Sequence, residues 1–226
     1  SGDAGVENPY GFTMESNIVF PRYYAAVDKV DRQVNSISLF GLHTVDTGST
    51  DSLDGTTTTL VENDYANFQV YAKRDTSRSK NVRFVLSSSG PTPIPEISSP
   101  TFLEVYDDNK WNLSVRLKPS NFPYSGFVSG AEEYTYDVIF RGVNHTQGVI
   151  NDNFTVTSSI SFDVGSKFLQ SPKRVYLGAR RTNLTGTILQ TSDVMFDTAR
   201  VWTKYVSDTN IEQHLLERDN SAISGT

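Results

Sequence analysis

Residues 173–217 have the sequence KRVYLGARRTNLTGTILQTSDVMFDTARVWTKYVSDTNIEQHLLE, and two extended segments and a short helix are predicted in it. In the first segment Val175 and Leu177 share one face and Tyr176 takes the other, as successive side chains of a strand do. Between residues 194 and 203 apolar residues occur on both parities. That pattern is typical of a strand with both faces partly covered, as in the middle of a sandwich.

The end of this stretch predicts a helix of about two turns. Ser207 or Asp208 can cap its first turn, because a hydroxyl or carboxylate oxygen accepts from the free backbone N–H groups there. Ile211, Leu215 and Leu216 follow at helical spacing. We therefore expect the helix to pack this apolar stripe against a sheet.

Alternation of apolar and polar residues predicts strands through most of the remaining chain. Trp111, Leu113, Val115 and Leu117 are expected on one face of the clearest strand, and Trp202 in the core of the facing sheet. Pro21 restricts its own strand to an edge or a bulge. The predicted strands cover 18–27, 34–43, 67–73, 82–86, 102–106, 111–117, 134–143 and 149–162, besides those in the closing stretch. About eleven strands with one C-terminal helix are most simply arranged as an all-β, antiparallel two-sheet jelly-roll sandwich.

The chain is long enough for one large β-domain and is expected to contain one. Residues 1–17 are rich in Gly and lack periodicity, so an N-terminal arm or linker is predicted there. The sandwich is expected over 18–218, with a C-terminal tail over 219–226. Residues 90–95, GPTPIP, predict a crossover loop, because neither half contains enough strands for a complete sandwich. The ends suggest a piece of a larger chain or assembly.

Composition excludes several classes of function. A net charge of −6 disfavours general electrostatic binding of nucleic acid. No apolar run is long enough for a membrane span. With no cysteine in the chain, disulfides and thiolate metal sites are excluded, which fits a bacterial or viral source better than an extracellular animal domain. The Asn-x-Ser/Thr triplets can be glycosylation acceptors or chance matches, and they begin at Asn112, Asn144, Asn153 and Asn183.

Several motifs resemble laminin-G-like domains, which are concanavalin A-like jelly rolls. The run Ala199-Arg200-Val201-Trp202 followed by Ser207, Asp208 and Ile211 is similar to their closing strand and helix, although Asn210 stands where the family has Glu. The turn before Trp111 is similar too. The sequence segments 65–72, 110–119 and 174–183 resemble the divergent laminin-G-like domains of structural proteins of marine bacteriophages. The resemblance implies a concanavalin A-like fold and a virion or extracellular location, but no ligand residue.

The carboxylates do not match a glycosidase site. Laminarinase-type enzymes of this fold carry a Glu-x-Asp-x-x-Glu strand whose paired carboxylates act as nucleophile and general acid. The groupings here have no such spacing within a strand; they are Glu62/Asp64, Glu104/Asp107/Asp108 and Glu132/Glu133. His43, His145 and His214 are not at metal-ligand spacing and are expected to be structural. We therefore predict a protein that is not an enzyme.

Two loops are the candidate binding sites. The loop 121–130 contains Phe122, Tyr124 and Phe127 among Gly and Ser, and aromatic faces can stack on sugars. The loop 44–59 offers Asp46, Asp51 and Asp54, whose hard oxygens could bind Ca²⁺ or simply be solvated. No other cofactor is indicated.

Two functions of different class are consistent with these features. One is a non-catalytic virion or extracellular module that binds a glycan, a host surface or a partner surface. The other is an assembly domain that packs against neighbouring protein subunits and binds no ligand. A polysaccharide-active enzyme is a third and weaker alternative. The loops 44–59 and 121–130 slightly favour the first of these functions.

Overall fold

The structure is a computed structural model that describes residues 11–22, 35–44, 50–51, 58–59, 67–88, 94–120, 135–171, 173–181 and 188–216. Its strands are β1 (Phe12–Phe20), β2 (Ser36–Thr44), β3 (Thr50–Asp51), β4 (Thr58–Thr59), β5 (Phe68–Lys73), β6 (Val82–Ser87), β7 (Ile97–Phe102), β8 (Asn109–Pro119), β9 (Tyr136–Thr146), β10 (Val149–Ile160), β11 (Lys173–Leu177), β12 (Arg180–Arg181), β13 (Ile188–Leu189) and β14 (Met195–Trp202). Its helices are α1 (Phe162–Gln170) and α2 (Asp208–Leu216). Neither of these helices has the length and apolar character needed to cross a membrane.

Two five-stranded antiparallel sheets make up the fold. Sheet A has the strand order β10-β9-β8-β1-β14, and sheet B has the order β11-β2-β5-β6-β7. Two short hairpins, β3-β4 and β12-β13, stand beside them. The predicted all-β sandwich is confirmed, and the described part of the chain has two short helices where one was predicted.

The core lies between the two sheets and is rich in aromatic rings. Trp111 of β8 and Phe84 of β6 meet across the sandwich with ring centroids 4.9 Å apart, and Phe84 stacks on Phe154 at 5.9 Å. The four apolar residues predicted on one face of β8 are all buried in this core: Trp111, Leu113, Val115 and Leu117. The alternation there therefore predicted the register correctly. Trp202 is partly exposed and lies in sheet A as Trp111 does, so the prediction that the two lie on facing sheets is wrong.

Strand β1 is the main correction to the predicted boundaries. It starts at Phe12, inside the segment predicted as an arm, and pairs with β8 on one side and β14 on the other. It is thus an interior strand, whereas an edge was predicted. Pro21 directly follows its last residue, where it removes no ladder hydrogen bond. The tail residues 219–226 and residues 1–10 lie outside the described part.

Three further elements differ from the sequence predictions. Residues 103–108 form turns and the strand before them is 97–102, where 102–106 had been predicted. Helix α1 starts directly after β10, with the Ser161 hydroxyl accepting from the Val164 N–H, although no helix was predicted there. Strand β14 is the last strand of sheet A in the described part of the chain, and its Met195, Ala199 and Val201 are exposed, whereas both of its faces were predicted to be partly covered. Helix α2, with Ile211 and Leu215 buried, and the β5–β6 hairpin are confirmed.

Candidate interaction surface

Most of the side chains predicted to bind ligands lie outside the described residues. This applies to Phe122, Tyr124 and Phe127 in one loop and to Asp46 and Asp54 in the other. The backbone of Asp51 is in β3, but its side chain is not described. Among the described residues no group of three or more acidic or histidine side chains is placed to hold a metal ion. The glycan and Ca²⁺ sites therefore stay predictions.

The carboxylates of the 104–108 turns are used locally. Lys80 lies 3.2 Å from Asp107 and Arg22 lies 2.9 Å from the same carboxylate. The hydrogen bond from Lys80, together with the charge of Arg22, lowers the pKa of Asp107. Asp108 has a positive φ of 59° and accepts from the Arg22 N–H, and Glu104 has a φ of 50°. These groups fix a turn and are not paired on a strand face.

A layer of buried polar residues covers the outer face of sheet A, beneath α2. At its centre the Glu15 carboxylate lies 2.9 Å from Nδ1 of His214 and 3.2 Å from Arg200. Glu15 is 1% exposed and His214 is 0% exposed. Burial raises the pKa of Glu15, while the charges of His214 and Arg200 oppose that rise. Trp202 closes the layer on one side, because its ring stacks on His214 with 5.1 Å between centroids.

Two arginines attach the first turn of α2 to the same face. Arg116 is 1% exposed; it donates to the Val206 carbonyl at 3.0 Å and lies 2.5 Å from Asp208. Arg141 lies 2.5 Å from the other oxygen of Asp208 and also bonds Glu212. A carboxylate at the start of a helix is additionally favoured by the helix dipole. One carboxylate thus links two strands to the helix.

This polar layer links helix α2 to sheet A. A carboxylate-oriented imidazole can act as a general base only where its second nitrogen meets a nucleophile or substrate. Nε2 of His214 is buried and has no hydrogen-bond partner in the described part of the chain. Since neither Glu15 nor His214 reaches the surface, the pair positions α2 on the sheet.

A second polar pair, which the sequence analysis missed, lies after α1. Lys173 Nζ is 2.5 Å from the Ser171 hydroxyl and lies over the Phe168 ring at 4.6 Å. Burial lowers the pKa of Lys173 to about 7. A neutral amine beside a hydroxyl could serve as a base, but Ser171 is buried and its hydroxyl also donates to the Phe168 carbonyl. The pair therefore lies at the end of α1, where the Ser171 hydroxyl is engaged with the helix.

The remaining histidines and two sequons are structural. His43 is buried and bonds Gln69 at 2.9 Å, and its ring contacts Tyr176. Burial, with the nearby charge of Lys110, lowers the pKa of His145. Asn112 and Asn144 are buried in β8 and β9, so these two triplets cannot carry a glycan in the folded chain.

A further surface lies on the side of the sandwich where, among the described residues, β11 and β14 are the last strands of their sheets. Val175 and Leu177 of β11 pair with Leu42 and Phe40, which are core residues, so they point to the inner face of sheet B. Both are nevertheless 44% exposed. Val201 of β14 pairs with the core residue Met14 and is 47% exposed. These three residues, which we call the open edge, are inner-face side chains that the sandwich covers only in part.

Sheets A and B approach each other near Gly178, at one end of the open edge. Phe196 of β14 is packed against the core, and its ring lies 3.2 Å from the position that a Cβ on Gly178 would take. Gly178 has a φ of 72°, which favours glycine. The chain can therefore leave β11 at Gly178 close to the Phe196 ring. Sheet B and sheet A approach each other at this point. On the opposite side of the sandwich β10 and β7 approach each other, so the open edge is a feature of one side.

Comparisons with known proteins give no family. No protein-family model matches the sequence, and a comparison with curated proteins finds no match. Among solved structures, the enzymatically active domain of tailspike protein 2 of bacteriophage CBA120 is 12% identical, with a TM-score of 0.49 over 94% of this chain and 25% of that one. The full-length tailspike protein 2 of the Escherichia coli O157:H7 bacteriophage is also 12% identical, with a TM-score of 0.48 over 96% of this chain and 22% of the other. This chain thus spans about a quarter of those proteins, and similarity at this level assigns neither family nor function.

Proposed function

We propose that the protein is a non-catalytic module of a virion or extracellular structural protein and that it packs against a partner protein through the open edge. The observation that carries the proposal is the exposure of Val175, Leu177 and Val201, which point to the inner faces of the sheets. Apolar residues at such positions are normally covered by a neighbouring element. An apolar patch on edge strands is typical of a surface that another chain covers.

Two further observations support this reading. The buried carboxylates and arginines of sheet A are engaged with α2, so in the described part of the chain they serve packing. The laminin-G-like and marine-phage resemblance of the sequence supports a structural protein of a virion as the setting. We also propose that the strands are connected as in a concanavalin A-like jelly roll, as this resemblance implies.

The proposal is tested by crosslinking at single positions. A photo-crosslinking amino acid replaces Leu177 in one variant and Leu103 in the other, and each protein is irradiated within the assembly from which it is isolated. Leu103 is the matched control, because it is 74% exposed and follows β7 at the opposite edge of sheet B. We expect a covalent adduct with a protein at position 177 and none at 103. Equal yields at both positions, or no adduct at 177, would refute the role of the open edge.

Glycan binding remains a second candidate, favoured by the aromatic residues in the sequence of the 121–130 loop. Replacing Tyr124 and Phe127 by Ala is then expected to abolish retention on a glycan array while the melting temperature stays nearly constant, since loop residues carry function on a rigid base. If Ca²⁺ takes part, a chelator and the Asp51→Asn and Asp54→Asn variants should weaken retention equally. An array without hits for the unaltered protein would leave assembly as the function.

A further inference from the structure

The backbone of β11 indicates what kind of molecule fits the open edge. In the described part of the chain β11 is the last strand of sheet B, with β2 on its other side. A polypeptide in extended conformation is the ligand that adds to a sheet edge through main-chain hydrogen bonds, with alternate side chains entering the adjoining pockets. On an added strand, every second side chain would lie beside Val175 and Leu177 on the inner face of sheet B. Those side chains are expected to be apolar, because they would cover apolar residues.

The charges in the sequence around β11 indicate which side chains an added strand would need on its outer face. Residues 164–192 contain Lys167, Lys173, Arg174, Arg180 and Arg181 and no acidic residue, in a chain of net charge −6. Arg174 pairs with His43, and its neighbours Lys173 and Val175 take the opposite, inner face. Among the described residues no carboxylate forms an ion pair with Arg174. An added strand would therefore meet apolar side chains on the inner face and positive charge on the outer one.

This charge argues against a second copy of the chain pairing through the same strand. Two β11 strands related by a two-fold axis would bring two copies of Arg174 close together on one outer face. Like charges opposite each other in a sheet are destabilising. A strand with acidic residues in those positions would instead gain cross-strand ion pairs of favourable sign.

From this we infer that the occupant of the open edge is an extended segment of another protein, in which apolar residues alternate with carboxylates, and that it adds to β11 as a further strand of sheet B. This inference rests on the proposed function, because it names the partner for the same surface. The apolar residues would cover Val175 and Leu177, and the carboxylates would face Arg174.

The inference is tested with three short capped peptides and the complete chain. In the first peptide Val alternates with Glu, in the second Val alternates with Lys, and the third has the Val and Glu residues of the first in two blocks. Binding is followed by the NMR shifts of the Val175 and Leu177 methyl groups. We expect the Val/Glu alternating peptide to shift them at the lowest concentration, with salt weakening the binding, and the other two to bind at least about fivefold more weakly.

A charge reversal supplies the decisive comparison. Arg174→Glu should transfer the preference from the Val/Glu to the Val/Lys peptide, whereas Arg83→Glu, at an exposed position of β6, should leave it unchanged. Circular dichroism and the melting temperature show whether each variant is folded. Equal binding of the first and second peptides, or shifts away from β11, would overturn the inference, as would dimerisation of the unaltered chain that shifts the same Val175 and Leu177 methyl groups. If the crosslink at position 177 persists in that case, the proposed function stands and only the nature of the partner is wrong.

Discussion

Among single residues, Trp111 combines a large side chain with complete burial. Its ring contacts Phe84 and Phe102 at centroid distances of 4.9 and 4.7 Å. Trp111→Ala should lower the free energy of unfolding by about 3–5 kcal/mol, because a cavity remains where the indole was. Trp202→Ala should cost less, since this ring is partly exposed at the edge strand β14. Denaturant titration measures both, and an unchanged midpoint for Trp111→Ala would contradict the packing.

Lys173 should make the stability depend on pH above neutrality. Burial lowers its pKa from 10.5 to about 7, so between these values the unfolded chain holds a proton that the folded chain lacks. Stability linked to this group therefore rises with pH across that window and is lowest where Lys173 is charged in both states. We expect Lys173→Met to be more stable than the unaltered protein near pH 6.

The advantage of Lys173→Met should shrink as the pH approaches the unfolded value of 10.5. Denaturant midpoints at several pH values measure it. Lys167→Met is the matched control, because Lys167 is on the exposed side of α1 and pairs with Asp163. If the difference in denaturant midpoint between Lys173→Met and the unaltered protein does not change with pH, the pKa of Lys173 is not lowered by burial.

Among the elements, α2 depends on a single carboxylate that two strands share. Asp208→Asn keeps the shape and leaves the Ser207 hydroxyl accepting from the Asn210 N–H, but it removes the charge between Arg116 and Arg141. Because Asp208 is half exposed and Arg116 is buried, the loss should be about 1–2 kcal/mol. Hydrogen exchange should accelerate through residues 208–216 more than in the core strands. The control Asp163→Asn removes an exposed pair of α1 and should change little, so equal effects would contradict the model of α2 docking.

The elements also show what sequence can predict. The β5–β6 hairpin and the inner face of β8 follow from short-range alternation, because apolar residues on one face alternate with mainly polar residues on the other and period two is preserved. Strand β1 has the same signal in Phe12, Met14 and Ile18, yet the Gly-rich residues before it suggested an arm. Its central position depends on β8 and β14, about a hundred and nearly two hundred residues away in the chain, and no local pattern encodes such pairing.

The polar layer was hidden for a related reason. Asn112, Ser114 and Arg116 alternate with the core residues of β8 as a solvated face would. They are buried because α2 returns over them, and the partners Glu15 and His214 are 199 positions apart. The open edge was missed for the opposite reason: Val175 and Leu177 have the composition of core residues, and only the arrangement of the sheets shows that they remain exposed.

At the scale of the whole molecule, the contacts of the described carboxylates bear on the prediction that polysaccharides are not cleaved. A retaining glycosidase needs two carboxyl groups about 5–5.5 Å apart across an accessible cleft. In the described part of the chain Glu15 is buried against His214, Asp197 is paired with Lys110 at 2.6 Å, and Asp107 is paired with Lys80. Each of these carboxylates contacts a basic side chain and helps to hold the fold together.

We therefore expect no release of reducing ends from laminarin-, agar- or carrageenan-type polysaccharides, with or without added Ca²⁺. The assay compares the unaltered protein with Glu104→Gln and Glu132→Gln, which remove one carboxylate from each of two candidate groupings. All three should match the buffer blank, since a lone carboxylate lacks the second group that general acid catalysis with a nucleophile requires. If the unaltered protein cleaves a polysaccharide and either variant loses this activity, the chain is an enzyme. The proposal of a non-catalytic module would then be wrong.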